Sequence, residues 1–381
     1  MRVCYFGTYE EGYPRNEMFL EGLRRAGASV LECHESIWKG QRDKTGAYRG
    51  LMLLRMLLRI VRAYARLVLR YLRMPAHDVM MVGYIGHLDM LLAWVLSRVR
   101  GVPLAFNVTL SLFDTFSGGR GLVAPGSLTG RAFWVLDWLS CRAADVLFTD
   151  TQPYADYFVQ TFGVSPARVC VVPLGADDRL FSRLSPPPHD SAVCQVVFVG
   201  KFIPLHGCET IVRAAALLRH EPVHFTMIGD GQQYPLVQAL IQQYRLSNIT
   251  LTGWIERHEL GAHYDRADIC LGSFGPSGRA GRAISNKVYE SMAMQRAVLT
   301  SDTPAVRAEL HAGEEVWVCR PGDEVDMARQ LKRLVHDPVL RERVAQQGHK
   351  AFHQRYHLQA IGARIRRCLS RVVHTAEGGN V

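Results

Sequence analysis

The sequence predicts an α/β chain of two doubly wound domains facing each other across a cleft. Three observations carry this. Strand, loop, helix and strand open the chain over Arg2–Gly7 (RVCYFG), residues 8–16, residues 17–26 and Ser29–His34. The same order restarts at residues 195–200 (QVVFVG), just after three successive prolines. A length of 381 residues exceeds one ordinary core. The expected division is a first domain over 1–175, a semi-rigid linker over 176–192 and a second domain over 193–350. A closing segment, 351–381, belongs to a helix of about 340–373 that could cross back to the first domain.

After the second strand comes residues 51–74, LMLLRMLLRIVRAYARLVLRYLRM. Arg55, Arg59, Arg62, Arg66, Arg70 and Arg73 are spaced 4, 3, 4, 4 and 3 apart, and no acidic residue lies between Asp43 and Asp78. At about 100° per residue these side chains form one stripe of a helix with bulky apolar flanks. Six arginines exclude a bilayer-spanning helix. The pattern fits a helix lying in an anionic membrane interface, or a domain helix whose basic stripe faces water. Without aromatics interleaved for stacking, nucleic acid is not an expected partner.

Strands follow at residues 78–84 and 103–106, and the loops leaving them carry His87 and Asp114, each a site candidate or a structural polar group. Gly12 and Arg15, on the first loop, read as either site residues or a solvated turn. Residues 118–130 form a glycine-rich loop. A helix over 131–143, a strand over 145–149, a helix over 153–162 and a strand over 169–173 complete the domain. In the second domain, Lys201 and His206 follow the first strand, Gly229-Asp230-Gly231 the next, and Trp254-Ile255 the strand after that.

Residues 272–304 combine the end of an apolar strand, a loop bearing Arg279 and Arg282, and a helix from Asn286 with Ser285 or Asn286 as N-cap. Unpaired N–H groups at a helix start, with Lys287 beside them, suit an anion. Glu290 lies one turn further on, and a carboxylate there suits a ribose diol. By itself the stretch reads equally as a basic surface loop before a core helix.

Composition adds bounds. Nine cysteines without a CxxC pair suggest neither a zinc site nor a disulfide framework, and buried free thiols in a reducing compartment are expected. No signal-peptide pattern precedes the first strand, so the Asn107-Val-Thr and Asn248-Ile-Thr sequons are expected to stay unmodified. The net charge of +10 suits nucleic acid, an anionic membrane or phosphorylated substrates.

With VFVGKFIPLHG, IGDG, LTGWI, YDRADICLG, NKVYESMA and AVLTSDTPAVRAEL in order, the chain resembles the family 4 glycosyltransferases. The resemblance implies the GT-B architecture, two facing Rossmann-like domains, and a retaining, metal-independent transfer from a nucleotide-diphosphate sugar. It implies Glu290 on the donor ribose, the N–H groups of Ser285, Asn286 and Lys287 on the distal phosphate, and Lys201 and His206 on the diphosphate. Gly229, Asp230, Gly231, Trp254 and Ile255 would line the donor, with the backbone at Trp254 and Ile255 holding the base. Arg279 and Arg282 join this donor set, and His87, Asp114 and Lys201 form the catalytic set.

Three positions depart from the family pattern. His206 replaces a lysine, which would make phosphate neutralisation pH-dependent or leave it to Lys201, Arg279 and Lys287. Arg282 replaces a glutamate eight positions before Glu290, which would suit a uronic-acid donor. Thr109 stands where a first-domain histidine is common. Joined to the arginine-striped helix, the expected enzyme is cytoplasmic and peripheral on the inner face of the cell membrane, with a lipid-linked sugar or glycan as acceptor in polysaccharide or glycolipid synthesis. Alternatives are a sugar-nucleotide epimerase or phosphorylase on the same architecture, or a non-catalytic sugar-nucleotide-binding subunit.

Overall fold

The computed structural model describes residues 1–37, 51–119, 122–182, 192–276 and 278–378. The three successive prolines of the expected linker, and residues 120–121 of the glycine-rich loop, lie outside the described residues.

Short apolar runs form the strands of the first domain: β1 (Arg2–Gly7), β2 (Ser29–His34), β3 (Val79–Val82), β4 (Leu104–Asn107), β5 (Val146–Thr149) and β6 (Val169–Val171). They pair in parallel in the order β2-β1-β3-β4-β5-β6. Helices α1 (Pro14–Arg25), α2 (Leu51–Leu72), α3 (His87–Arg100), α4 (Leu128–Ala143) and α5 (Gln152–Phe162) connect them. Val79–Val82, Leu104–Asn107 and Val146–Thr149 are buried throughout, as strands covered on both faces must be.

The second domain holds β7 (Cys194–Val199), β8 (Val223–Ile228), β9 (Ile249–Gly253), β10 (Ile269–Leu271), β11 (Ala297–Ser301) and β12 (Trp317–Cys319), ordered β12-β11-β10-β7-β8-β9. Between them run α6 (Cys208–Leu217), α7 (Tyr234–Tyr244), α8 (Leu260–Asp265), α9 (Asn286–Ala293) and α10 (Pro304–Glu309). After β12 come α11 (Glu324–His336), α12 (Pro338–Arg355) and α13 (Leu358–Gly378). The direction of winding reverses between β1 and β3 in one sheet and between β7 and β10 in the other. Ligands of open parallel sheets sit at such reversals, outside the carboxyl ends of the strands.

The expected single helix over about 340–373 is two helices. Tyr356 and His357 break it, and the turn sends α13 back to the first domain. There Leu358, Ile361, Ile365 and Leu369 join Phe19, Leu23, Val79 and Phe148 in one buried cluster. Contact with α1 is so close that a Cβ on Gly362 would lie 1.7 Å from the Gly22 carbonyl oxygen. A second difference concerns sulfur: Cys170 of β6 and Cys368 of α13 form a disulfide, with Cα atoms 6.4 Å apart. Their separation of 198 residues hides the pair from any spacing rule. The other seven cysteines are buried free thiols.

Candidate functional site

At the carboxyl edge of the second sheet, buried positive charge stands beside a buried carboxylate. Lys287, in the first turn of α9, is only 5% exposed. Its ammonium lies 4.2 Å from the centre of the Phe198 ring and has no hydrogen-bond partner among the described residues. Glycine at position 200 makes room for it, since a Cβ there would come within 2.8 Å of Nζ. Burial pulls the Lys287 pKa down to about 7, with Cys208 and Glu290 opposing. An ammonium held dry at a helix start has a strong electrostatic demand for a multiply charged anion.

Glu290 sits on the same helix, 6% exposed, and one of its oxygens accepts from the Tyr264 hydroxyl at 3.0 Å. Burial raises its pKa, while Arg257, Tyr264 and Lys287 favour the ionised form. Tyr264 was not among the site candidates, although it opens the YDRADICLG motif. Ser285 is the N-cap residue, and its hydroxyl accepts from Ser273 at 3.1 Å. The Asn286 side-chain oxygen Oδ1 is buried without a partner among the described residues.

Around this centre the other donor candidates lie at strand ends. Lys201 and His206 follow β7. The His206 Nδ1 donates to the Lys201 carbonyl, so Nε2 is left as an acceptor. Burial, then Lys287, push the His206 pKa well below its ordinary value. A dry site already holding Lys287 disfavours a second cation at His206, which favours the alternative that leaves phosphate neutralisation to Lys201, Arg279 and Lys287. After β8, the Gly229 N–H donates to the Gly253 carbonyl at 2.8 Å and Asp230 accepts from the Gly231 N–H at 2.6 Å. After β9, the Trp254 indole is half exposed, whereas Ile255 packs on the core beneath α9.

Arg279 and Arg282 leave the donor loop and reach the first domain. Arg282 Nη2 donates to Asp114 Oδ1 at 2.6 Å, and Arg279 Nε stands 3.8 Å from Oδ2. The carboxylate that Arg282 meets in this structure is the chain's own. His87 is placed differently from Asp114. It is buried at the start of α3, with Nε2 3.0 Å from Asp137 Oδ1. Asp137 also accepts from the Ser111 hydroxyl at 2.6 Å and from the Leu112 and Phe113 N–H groups at 3.0 and 2.9 Å. Asp137 thus holds the loop that carries Asp114, with the His87 ring beside it. Asp137 was missed, although an aspartate between Trp134 and Trp138 on an apolar helix was a legible signal. Arg15 is fully buried, donating to Asn107 Oδ1 at 3.0 Å and the Val172 carbonyl at 2.9 Å. It joins the edges of β4 and β6 and is neither a solvated turn nor a cleft residue.

Two family models match the chain in succession: the glycosyl transferase 4-like domain over residues 11–175 and the glycosyl transferases group 1 model over residues 194–337. The chain belongs to the family 4 glycosyltransferases. Alpha-D-kanosaminyltransferase of Streptomyces kanamyceticus is 29% identical over 173 residues, which span 45% of this glycosyltransferase chain and 44% of that enzyme. Two solved structures share the fold. Sucrose-phosphate synthase from Thermosynechococcus elongatus superposes with a TM-score of 0.74 at 16% identity, covering 98% of this chain and 99% of that one. Anabaena HepE in complex with UDP-glucose gives 0.68 at 16% identity, covering 97% and 100%. The fold of this family 4 glycosyltransferase is GT-B.

The glycosyltransferase carries a further surface on its first domain. All six arginines of the stripe, Arg55 to Arg73, are exposed. Arg70 pairs with Glu35 at 2.9 Å and Arg66 lies 3.7 Å from it. Opposite the core, α2 also exposes Leu58, Val61, Leu69 and Leu72, with Val61 64% accessible. On α3, Leu88, Leu91, Val95 and Val99 form an exposed stripe, with Val99 at 74%. Arg100 of α3 joins the two helices, donating to the Tyr71 carbonyl at 2.7 Å. No helix among the described residues is long and apolar enough to cross a membrane.

Proposed function

We propose that this protein is a retaining glycosyltransferase that moves a sugar from a nucleotide-diphosphate sugar to a lipid-linked or glycan acceptor at an anionic membrane surface. One observation carries the reading: a buried, unpartnered ammonium and a buried carboxylate share one turn of α9 at the strand reversal of the second sheet. The diphosphate meets Lys287, Lys201 and the first N–H groups of α9, and the ribose diol donates to Glu290. The base lies against the backbone at Trp254-Ile255, beside the Gly229–Gly231 turn. As the bond from the anomeric carbon to phosphate breaks, negative charge grows on the leaving group. Preorganised positive groups there lower the barrier without a metal ion. Configuration is kept because the acceptor approaches on the leaving-group face, with a phosphate oxygen taking its proton. Asp114 lies on the opposite wall of the cleft, and Asp137 holds its loop, with His87 beside Asp137.

The acceptor side rests on α2. Exposed arginines beside exposed leucines and valines suit lipid phosphates and acyl chains together, on the cytoplasmic leaflet where anionic lipids concentrate. UDP-glucose, seen bound to the structural neighbour HepE, is the first donor to test. A thermal-shift panel of nucleotide sugars reads donor binding, because a ligand held only by the folded state raises Tm. Proton NMR of the product's anomeric coupling reads retention. Flotation with anionic vesicles, before and after Arg55, Arg59, Arg62, Arg66, Arg70 and Arg73 are replaced by glutamine, reads membrane binding. Unchanged flotation removes the membrane reading.

A further inference from the structure

We propose that the outward face of α3, with α4 beside it, inserts into the hydrocarbon layer of an anionic membrane, so that apolar burial holds the protein there as well as its arginines. The inference rests on the membrane reading above and deepens it, from adsorption on lipid phosphates to insertion among acyl chains. Helices α2, α3 and α4 cover one face of the first sheet, where Leu67, Tyr71, Met90, Leu96 and Cys141 share a buried cluster. The solvent side of such helices is ordinarily polar. On α3 it is apolar: Leu88, Leu91, Val95 and Val99 follow one another at helical spacing with Trp94 alongside, all exposed, and Arg98 is the one exposed charge among them. On α4, Leu128, Val135 and Leu139 face outward at similar spacing. Of the 20 exposed large apolar side chains among the described residues, 13 lie between Leu58 and Leu139. Apolar residues scattered singly over a surface need no cover, whereas a concentration on adjoining helices marks an interaction face.

Charge decides what covers it. Asp89 of α3 and Asp137 of α4 are buried, and α2 contains no acidic residue, so the outward charges of all three helices are arginine. A second copy docking through the same face would set arginines against arginines. An anionic bilayer instead offers phosphates to the arginines and acyl chains to the leucines and valines. The two kinds of contact belong to one surface, because Arg100 donates to the Tyr71 and Met74 carbonyls at 2.7 and 2.9 Å and so ties the end of α3 to the end of α2. No helix among the described residues is long and apolar enough to span, so the expected arrangement is in the plane of the interface. Leu88 directly follows His87 at the start of α3, so the apolar stripe begins beside the cleft.

Flotation of the full chain with vesicles of phosphatidylglycerol and phosphatidylcholine tests this, at about 0.1 M and about 1 M salt, since the higher salt screens charge beyond about 3 Å. The wild type is expected to stay on the vesicles at the higher salt. Its tryptophan fluorescence should fall when the lipids carry bromine at mid-chain, and Trp94→Phe should remove most of that quenching. The combined Leu91→Gln, Val95→Gln and Val99→Gln variant should bind at least about tenfold more weakly at high salt. Its melting temperature should match that of the wild type, because these side chains point away from the core. Complete release of the wild type at high salt overturns insertion and leaves the arginine contact standing, as does quenching that is absent or that Trp94→Phe leaves unchanged. Full binding by the glutamine variant overturns it, and so does a lowered melting temperature, which would assign the three side chains to packing within the fold. A wild-type dimer that the variant converts to a monomer overturns it too, since a second copy would then cover the face. If the wild type fails to float at low salt, the membrane reading falls first and this inference with it.

Discussion

Lys287 is the residue whose state most depends on what fills the cleft. Burial disfavours its charge and lowers its pKa from the ordinary 10.5 to about 7. At pH 8 the amine is therefore mostly neutral before ligand arrives. A diphosphate favours the charged form, so its binding should take up a proton. Calorimetry of UDP binding at pH 8, in two buffers of different ionisation enthalpy, should show this uptake, and Lys287→Met should abolish it. The sign for stability follows the same logic. Between pH 7 and 10.5 the unfolded chain binds the extra proton, so the ligand-free fold gains stability as pH rises through that window and loses it as pH falls through 7. Melting curves across pH 7–10 should climb less in Lys287→Met than in wild type. Glu290→Gln should weaken nucleotide binding about tenfold through loss of a charged acceptor, whereas Tyr264→Phe should cost less, since it removes only the group that orients the carboxylate.

Among the elements, α13 has the most exacting fit. Gly22 and Gly362 let it lie directly on α1, and a Cβ on either would strike backbone of the other helix. Gly362→Ala should destabilise the protein by about 1–3 kcal/mol despite its better helix propensity, read as a lower denaturation midpoint. Much at this scale was legible in the sequence. The strands Arg2–Gly7 and Ser29–His34 have the extents expected, because short apolar runs bounded by turn residues leave few options. The strand Ala297–Ser301 and helix Pro304–Glu309 stood only inside the family motif, too short to show a period of their own. The π-helical turn Asp114–Gly119 was not legible either, for its shape depends on Asp137 holding the preceding loop from another helix. The same physics divides the site. Lys287 and Glu290 follow from a local pattern at one helix start. Arg282 with Asp114, and His87 with Asp137, are partnerships made only by folding.

Across the whole molecule, charged pairs join the two domains around the cleft. Arg257 donates to Glu17 at 2.5 Å and Arg282 holds Asp114, while Arg25 meets Asp178, at the start of the expected linker, at 2.9 Å. The more exposed of these, Arg257–Glu17 and Arg25–Asp178, are individually weak and screened by salt. Raising ionic strength should therefore favour the open cleft, measurable as a larger radius of gyration in solution scattering of the ligand-free protein. Removing the segment after His357 should do more, because the first domain would lose Leu358, Ile361, Ile365 and Leu369 from its core. Limited proteolysis of that truncation should cut within residues 1–175 first.

That borrowed helix also sets an order in time. A nascent chain emerges from its amino end, and leading domains ordinarily fold while the remainder is still being made. Here the leading domain stays unfinished until the trailing one has been synthesised, roughly 10–40 s later at ordinary translation speeds. During that interval α1 lacks the cover that Leu358, Ile361, Ile365 and Leu369 of α13 give its apolar side.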